Sequence, residues 1–267
     1  MSSVMFRRAL KDLRWMVFWY ALGLFLYGLL IMSFYPTVQE NAALMEQYMQ
    51  ALPRAMVQAF GVSDMTSIAG FLGGEFLNFM WPLIAGIFLI LAGSAIVARE
   101  VEQGTIELLL SVPQSRTRLL LAKLAAFVVG LLILVLATIV ALGVGAKLVD
   151  ETLEFENLLA LGIVLASFGA AVGGYSVLFS SFSRERGKAA GMAAGLTLAF
   201  YLAWVIAGLS DTWEWLKNFS IFSAYKPQLA LQNGDVDFFH LVVLGAIGLV
   251  CTIVAVIIFR RRDAFPS

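Results

Sequence analysis

Six long apolar stretches constrain this chain more than any other feature of its sequence. A helix needs roughly 20 mostly apolar residues to cross the hydrocarbon core of a bilayer, which is about 30 Å thick. Hydrophobic residues make up 61% of the 267 positions and charged residues 13%, and the mean hydropathy is +0.88. The predicted spans are Trp15 to Tyr35, Phe76 to Ala98, Leu119 to Ala146, Leu158 to Phe182, Ala189 to Leu209 and Phe239 to Phe259. We therefore predict an all-α integral membrane protein in which residues 1–267 form one transmembrane domain.

The distribution of positive charge predicts the orientation of the spans. Loops rich in Lys and Arg stay in the cytoplasm during membrane insertion. Fourteen of the 18 Lys and Arg residues fall near the two termini or near the loops that follow the second and fourth spans. The other four are Arg54, Lys147, Lys217 and Lys226. Both termini of this multi-pass protein are therefore predicted to lie on the cytoplasmic side of the cell (inner or plasma) membrane.

Three connecting segments have their own character. Before the first span, apolar residues recur at helical spacing among basic residues, which predicts an amphipathic helix at the inner headgroups. Residues 36–74 form an outer segment with helical patches that include Leu44, Met45, Tyr48 and Met49. Pro53 and Gly61 interrupt these patches. The segment from residue 210 to 237 carries aromatic residues suited to the outer interface, before a turn at Asn233-Gly234-Asp235.

The densest polar stretch is residues 98–116, between the second and third spans. Gly104 can adopt the left-handed conformation that ends a helix, and Thr105 can cap the next helix. Glu107 in the first turn is favoured by the helix dipole, and Pro113 ends the helix after about two turns. The pattern predicts a short cytoplasmic helix. The same caps and charges also suit a plain connector between two spans.

The full run of this stretch is distinctive. It reads Arg99-Glu100-Val101-Glu102-Gln103-Gly104-Thr105-Ile106-Glu107-Leu108-Leu109-Leu110-Ser111-Val112-Pro113-Gln114-Ser115-Arg116, with Lys123 following. This run resembles the signature loop of the ATP-binding cassette (ABC) type-2 exporter permeases. Further similarities to bacterial and archaeal members lie at Leu52-Pro53 with Phe60-Gly61, at Tyr225-Lys226-Pro227 and at Phe259-Arg260-Arg261-Arg262-Asp263.

The resemblance implies a six-helix permease in which the loop between spans two and three forms a coupling helix seated in a groove of a separate ATPase subunit. Two permeases, either a homodimer or two related chains, would work with two ATPase subunits that bind ATP and Mg²⁺. The residues that the resemblance assigns to ATPase coupling are Glu100, Glu102, Gly104, Thr105, Glu107, Pro113, Arg184, Glu185 and Arg186.

The sequence itself is consistent with a separate motor. It contains no Gly-x-x-x-x-Gly-Lys-[Ser/Thr] phosphate-binding loop, so it cannot bind ATP by that route. It shows no Ser/His/Asp arrangement and no Cys/His metal cluster. Its one histidine, His240, starts the last span, where a capping or interfacial role is expected. We predict a permease without a catalytic, cofactor or metal site and without a nucleic-acid partner.

The polar residues within the spans suggest a transport path. The resemblance implies a path between two permeases, lined mainly by spans one, two and five. The polar candidates are Tyr20, Tyr27, Ser33, Asn78, Ser94, Thr197 and Tyr201. Such walls suit an amphipathic, lipid-like, drug or peptide substrate. Each of these groups could equally form hydrogen bonds between helices of one subunit.

A glycine face predicts where two copies meet. Gly187, Gly191 and Gly195 recur every four residues and so line one side of the fifth span. Small residues at this spacing let helix backbones approach closely in membranes. The face is a candidate permease–permease contact, or it packs against another span of its own subunit.

Three functions compete at this point. The first is an ATP-driven exporter permease, which the polar stretch favours. The second is a secondary transporter driven by an ion gradient, which the nearly uncharged span interiors disfavour because Glu75 and Lys123 lie at span ends. The third is a membrane assembly factor that transports nothing.

Overall fold

The computed structural model describes residues 3–44, 47, 67–104, 116–209 and 211–261. Regular structure within these residues is entirely helical. The α-helices are α1 (Ser3–Glu40), α2 (Ile68–Leu72), α3 (Met80–Ser94), α4 (Ala98–Glu102), α5 (Arg116–Leu148), α6 (Phe155–Phe182), α7 (Arg186–Leu209), α8 (Ile221–Ala224), α9 (Pro227–Asn233) and α10 (Phe238–Arg261). A π-helix, Gly73–Leu77, follows α2, and a 3₁₀-helix, Asp211–Phe219, follows α7.

Five of these helices are long and apolar enough to cross a membrane: α1, α5, α6, α7 and α10. The pair Ile68–Leu77 and Met80–Ser94, bent by 40°, makes a sixth span if the two halves cross together. The all-helical membrane fold is therefore confirmed. The predicted third to sixth spans agree with α5, α6, α7 and α10 to within three residues at each end.

The first span is longer than predicted. Helix α1 runs without a break for 38 residues, through Pro36 to Glu40. At 1.5 Å per residue it measures about 57 Å, nearly twice the thickness of the bilayer core. The separate N-terminal helix and the first span are therefore one element, and the first five residues of the predicted outer segment, 36–40, belong to it. Pro36 lies inside the helix near its end, and its missing N–H removes the backbone hydrogen bond to the carbonyl oxygen of Met32.

The amphipathic character of the N-terminal part is confirmed. Arg7, Arg8, Lys11 and Arg14 are exposed, while Phe6, Leu10 and Leu13 are partly buried and Val17 is buried. The apolar side faces the rest of the bundle because Leu13 and Val17 belong to or pack against its core.

The second span differs most from its predicted bounds of 76–98. Its apolar helix starts eight residues earlier, at Ile68, and ends at Ser94. It bends at Asn78–Phe79. A second break, the turn Ala95–Val97, here called the inner bend, separates it from α4. Hydropathy alone cannot locate either break because the residues around them are as apolar as the helices they interrupt.

Outside the spans, the aromatic residues of the segment from 211 to 237 divide into two groups. Trp213, Trp215 and Phe219 of the 3₁₀-helix are at least half exposed, as expected at an interface. Phe222 and Tyr225 are buried among the spans instead. Gly234 ends α9 with a φ of 65°, which confirms the predicted turn. Of the patches predicted in the outer segment, Met45, Tyr48, Met49, Pro53 and Gly61 lie outside the described residues.

Helix α6 occupies the centre of the bundle. It packs against α3, α5, α7, α9 and α10, and most of its residues are buried. The α6–α10 contact is very close: a Cβ built on Gly174 would lie 2.5 Å from the carbonyl oxygen of Gly248. Helix α1 packs mainly along α5. These contacts leave one side of α3 uncovered between α1 and α7.

Candidate functional site

The predicted inner loops meet at one end of the bundle, called the inner end below. Asp12 of α1, Arg99 and Glu100 of α4 and Lys123 of α5 line one cavity of about 70 Å³. Phe259, near the end of α10, lines a neighbouring cavity that Lys123 also borders. The start of α1 and the end of α10 therefore lie at the same end of the bundle.

At the inner bend, the helix is interrupted and a side chain from α6 replaces the missing hydrogen bonds. The hydroxyl of Ser180 accepts from the backbone N–H groups of Val97 and Ala98, both at 3.0 Å. It donates to the carbonyl oxygen of Ser94 at 2.7 Å. Because a buried helix start leaves N–H groups without partners, this one hydroxyl acts as a cap supplied by another helix. The sequence carries no signal that identifies Ser180 for this role.

Lys123 holds the other side of the inner bend. Its ammonium donates to the carbonyl oxygen of Ile96 at 3.0 Å and forms an ion pair with the Glu100 carboxylate at 2.6 Å. The Lys123 side chain is 19% exposed. Sequence analysis placed Lys123 at a span end without a partner; the partner is one of the residues predicted to couple the ATPase.

Helix α7 contacts the same segment. The backbone N–H of Arg186 donates to a carboxylate oxygen of Glu102 at 3.0 Å. The Arg186 guanidinium reaches the carbonyl oxygen of Leu91 at 3.5 Å. The structure thus joins Glu102 and Arg186, one from each of the two inner loops that the resemblance singles out.

The remaining coupling residues are placed as follows. Gly104 has a φ of +63°, which confirms its left-handed conformation after α4. Arg184 and Glu185 are exposed in the turn before α7, and Glu185 pairs with Lys188 at 2.7 Å. Thr105, Glu107 and Pro113 lie outside the described residues.

The uncovered side of α3 forms an apolar groove between α1 and α7. Phe79, Leu83 and Ile87 recur every four residues and are each more than 40% exposed. Glu75 is exposed one turn further out. This face was not predicted from the sequence, although apolar residues at four-residue spacing indicate one side of a helix.

Three of the predicted path residues pack on aromatic residues in or next to α3, and one of them, Tyr201, contacts the groove residue Phe79. Tyr20 packs on Phe88 and Tyr27 on Phe76, with ring centroids 5.6 and 5.4 Å apart. Tyr201 packs on Phe79 from the α7 side at 5.8 Å. All three tyrosines are partly exposed.

The other four predicted path residues are arranged differently. Ser94 is fully buried and donates to Leu91. Thr197 shares a 2.6 Å hydrogen bond with Tyr175 of α6. Ser94 and Thr197 therefore both make contacts within the subunit. Ser33 is exposed and donates to its own helix at 2.6 Å. Asn78 lies in the bend, where its N–H donates to Gly73.

The predicted glycine face is open in this subunit. A Cβ built on Gly187, Gly191 or Gly195 would meet nothing within 4 Å. By contrast, the close glycine contact of the described bundle is the Gly174–Gly248 crossing inside the subunit.

No catalytic or metal-binding arrangement is evident in the part of the chain that the structure describes. No three His, Cys, Asp or Glu side chains converge there as a metal site would require. His240 lies 2.8 Å from the Asp237 carboxylate at the outer start of α10. The same carboxylate accepts from the N–H of Phe239 and so caps that helix.

Comparison with known proteins identifies the family of the chain. The model of the "ABC-2 family transporter protein" family matches residues 6–264. A relative, the probable ABC transporter permease protein NosY of Pseudomonas aeruginosa, is 36% identical over 159 residues. That match covers 56% of this chain and 51% of NosY, so the chain spans about half the length of this relative. Since the family model covers nearly the whole chain, the protein belongs to the ABC-2 transporter family and is a multi-pass membrane subunit of an ABC transporter.

Proposed function

We propose that this chain is the permease of an ATP-driven exporter whose energy comes from a separate ATPase subunit. Two copies of the chain, or this chain and a related one, would pair with two ATPase subunits that bind ATP and Mg²⁺. The complex would lie in the cell membrane with both termini of the permease in the cytoplasm. The name of the relative NosY, an ABC transporter permease, agrees with this assignment.

One observation carries the proposal. Helix α4, which leads directly into the predicted coupling loop, is bonded to α5 through Lys123, to α6 through Ser180 and to α7 through Arg186. A partner protein bound to the loop would therefore act on α5, α6 and α7 at once. A plain connector between two spans needs no such set of bonds.

The groove along α3 supports the proposed transport path. Its exposed apolar residues include Phe79, on which Tyr201 of α7 packs, and α7 also carries the exposed glycine face. We propose that a second permease closes this groove, and that an amphipathic, lipid-like, drug or peptide substrate passes between the two. An ion-driven carrier would instead need a titratable relay at mid-depth. Within the described spans, Glu75 and Lys123 lie toward opposite ends rather than at the centre.

Purification from the native membrane tests the proposal. We expect an ATPase subunit to co-purify in equal amount with the chain, and the chain freed of that subunit to hydrolyse no ATP. Hydrolysis by the isolated chain would contradict the assignment, and recovery without any ATPase would favour the assembly-factor function.

Reversing the charge of Glu107 tests whether the loop is the contact. Glu107→Lys should lower recovery of the ATPase about tenfold or uncouple hydrolysis from transport, because a reversed charge removes complementarity at a docking surface. Glu154→Lys, an exposed outer residue, serves as the control. Equal recovery and equal transport for both variants and the native chain would make the loop a simple connector.

A further inference from the structure

Lys123 differs from an ordinary lysine at a membrane boundary. Such lysines extend their side chains so that the ammonium reaches water. Here the side chain is 19% exposed and the ammonium is held by two acceptors, the Glu100 carboxylate and the Ile96 carbonyl oxygen. Both acceptors come from the segment around the inner bend: Glu100 is 23 residues and Ile96 is 27 residues from Lys123 along the chain.

The inner bend makes this ion pair mechanically important. Residues Ala95–Val97 form a turn rather than a helix, so the covalent connection between α3 and α4 is not a continuous rod. A displacement of α4 therefore reaches the spans chiefly through side-chain contacts. Ser180 and Arg186 supply hydrogen bonds from α6 and α7, whereas Lys123 supplies the ion pair, from α5.

Helix α5 in turn passes directly to the groove. Its main partner is α1, along most of their lengths. The two backbones approach closely: a Cβ on Gly145 would lie 2.8 Å from the Met32 side chain, and one on Gly28 would lie 3.0 Å from Ala141. Two helices packed this closely move together, because interiors at this density do not deform gradually. Helix α1 in turn contacts α3, the helix that bears the groove, because Tyr20 packs on Phe88.

We propose that Lys123 is the positioning residue that couples the cytoplasmic loop to the groove. Its ion pair with Glu100 holds α4 to α5, so that movement of the loop, caused by the ATPase, is transmitted through α5 to α1. Glu100 then acts inside the permease, beside the loop, rather than in the ATPase contact. This inference rests on the proposed function, because it needs an ATPase that moves the loop.

The test uses the complete complex with its ATPase in lipid nanodiscs and needs no substrate. An environment-sensitive fluorophore is attached at Leu30→Cys, an exposed position of α1, in a Cys251→Ser background. The fluorescence change on adding ATP and Mg²⁺ is recorded together with the amount of bound ATPase. The variants are Lys123→Met, Glu100→Gln, both together, and the exchange Lys123→Glu with Glu100→Lys. Lys147→Met is the matched control, since Lys147 is an exposed lysine at the other end of the same helix.

We expect Lys123→Met to reduce the ATP-dependent signal at least fivefold while bound ATPase stays within twofold of the native amount. Glu100→Gln and the double variant should match it, because both remove the same pair. The exchanged pair should recover at least half of the signal, and Lys147→Met should leave it unchanged.

Two results would overturn the inference alone, and a third would also overturn the proposed function. An undiminished signal in Lys123→Met would show that α1 is moved by another route. A signal that falls only in proportion to bound ATPase would make Lys123 a residue of assembly or folding. If the native complex itself binds no ATPase, the proposed function fails, and the role of Lys123 fails with it.

Discussion

At the scale of single residues, polar side chains at breaks in the backbone decide how the inner end is built. In lipid, a backbone group without a partner costs several kcal/mol, since water is not available to replace the bond. Ser180 meets this requirement at the inner bend for two N–H groups and one carbonyl oxygen. At the other break of the second span, Asn78–Phe79, the Tyr225 hydroxyl donates to the Leu77 carbonyl oxygen at 2.8 Å.

Ser180 offers a direct test of this view. Ser180→Ala should destabilise the purified protein by about 2 kcal/mol, because it leaves buried N–H groups of the inner bend without an acceptor. The measurement is thermal unfolding in detergent. Ser176→Ala is a close control: Ser176 is also fully buried on α6, one turn earlier, but its hydroxyl donates only to Val172 of its own helix. Equal losses for both variants would contradict the capping role.

At the scale of helices, small residues set which spans touch. The α6–α10 crossing is possible only because Gly174 and Gly248 lack side chains: a Cβ on Gly248 would lie 2.5 Å from the Ala170 carbonyl oxygen, just as one on Gly174 meets Gly248. Backbone atoms cannot move aside as flexible side chains can. In α7, by contrast, a Cβ on Gly187, Gly191 or Gly195 would meet nothing within 4 Å.

The two glycine sites should therefore respond in opposite ways to an added methyl group. Gly174→Ala should destabilise the isolated subunit by about 1–3 kcal/mol through overpacking. Gly191→Ala should leave stability unchanged or raise it by up to about 1 kcal/mol, since alanine favours the helix and nothing lies within 4 Å. Both are read from thermal unfolding of the monomer in detergent. A loss at Gly191 equal to that at Gly174 would show that the α7 face is already packed within the subunit.

At the scale of the whole molecule, two exposed surfaces lie on helices that contact each other. Among the described residues, neither the groove along α3 nor the glycine face of α7 is covered by another helix. A second permease placed there would bury both surfaces. This is the arrangement that the proposed function requires.

Blocking the glycine face with a large side chain tests that arrangement. Gly191→Leu should lower recovery of permease dimers about tenfold and reduce transport, because it forces the two helices apart. Gly245→Leu is the control, since Gly245 of α10 also has nothing within 4 Å but lies on a different helix. Crosslinks between single cysteines placed on the α7 face, in a Cys251→Ser background, report the contact itself. Failure of every such single-cysteine variant to crosslink between subunits, in complexes that remain intact, would reject this dimer surface.

The sequence by itself determined the all-helical membrane fold and the bounds of the last four spans. Burial in lipid demands length and apolarity, and both are readable from composition along the chain. It also determined the glycine that ends α4 and the turn after α9, because a left-handed φ strongly favours glycine. The resemblance of residues 99–116 indicated the family that the comparison confirmed.

Only the tertiary structure decided where the second span breaks and which side chains meet at the inner end. The partners Lys123 and Glu100 are 23 residues apart, and Ser180 and Ala98 are 82 apart. No local periodicity relates residues at such separations, because their proximity results from the packing of four helices. The continuous α1 likewise depended on packing along α5, which extends the helix past a proline that the sequence alone presented as its end.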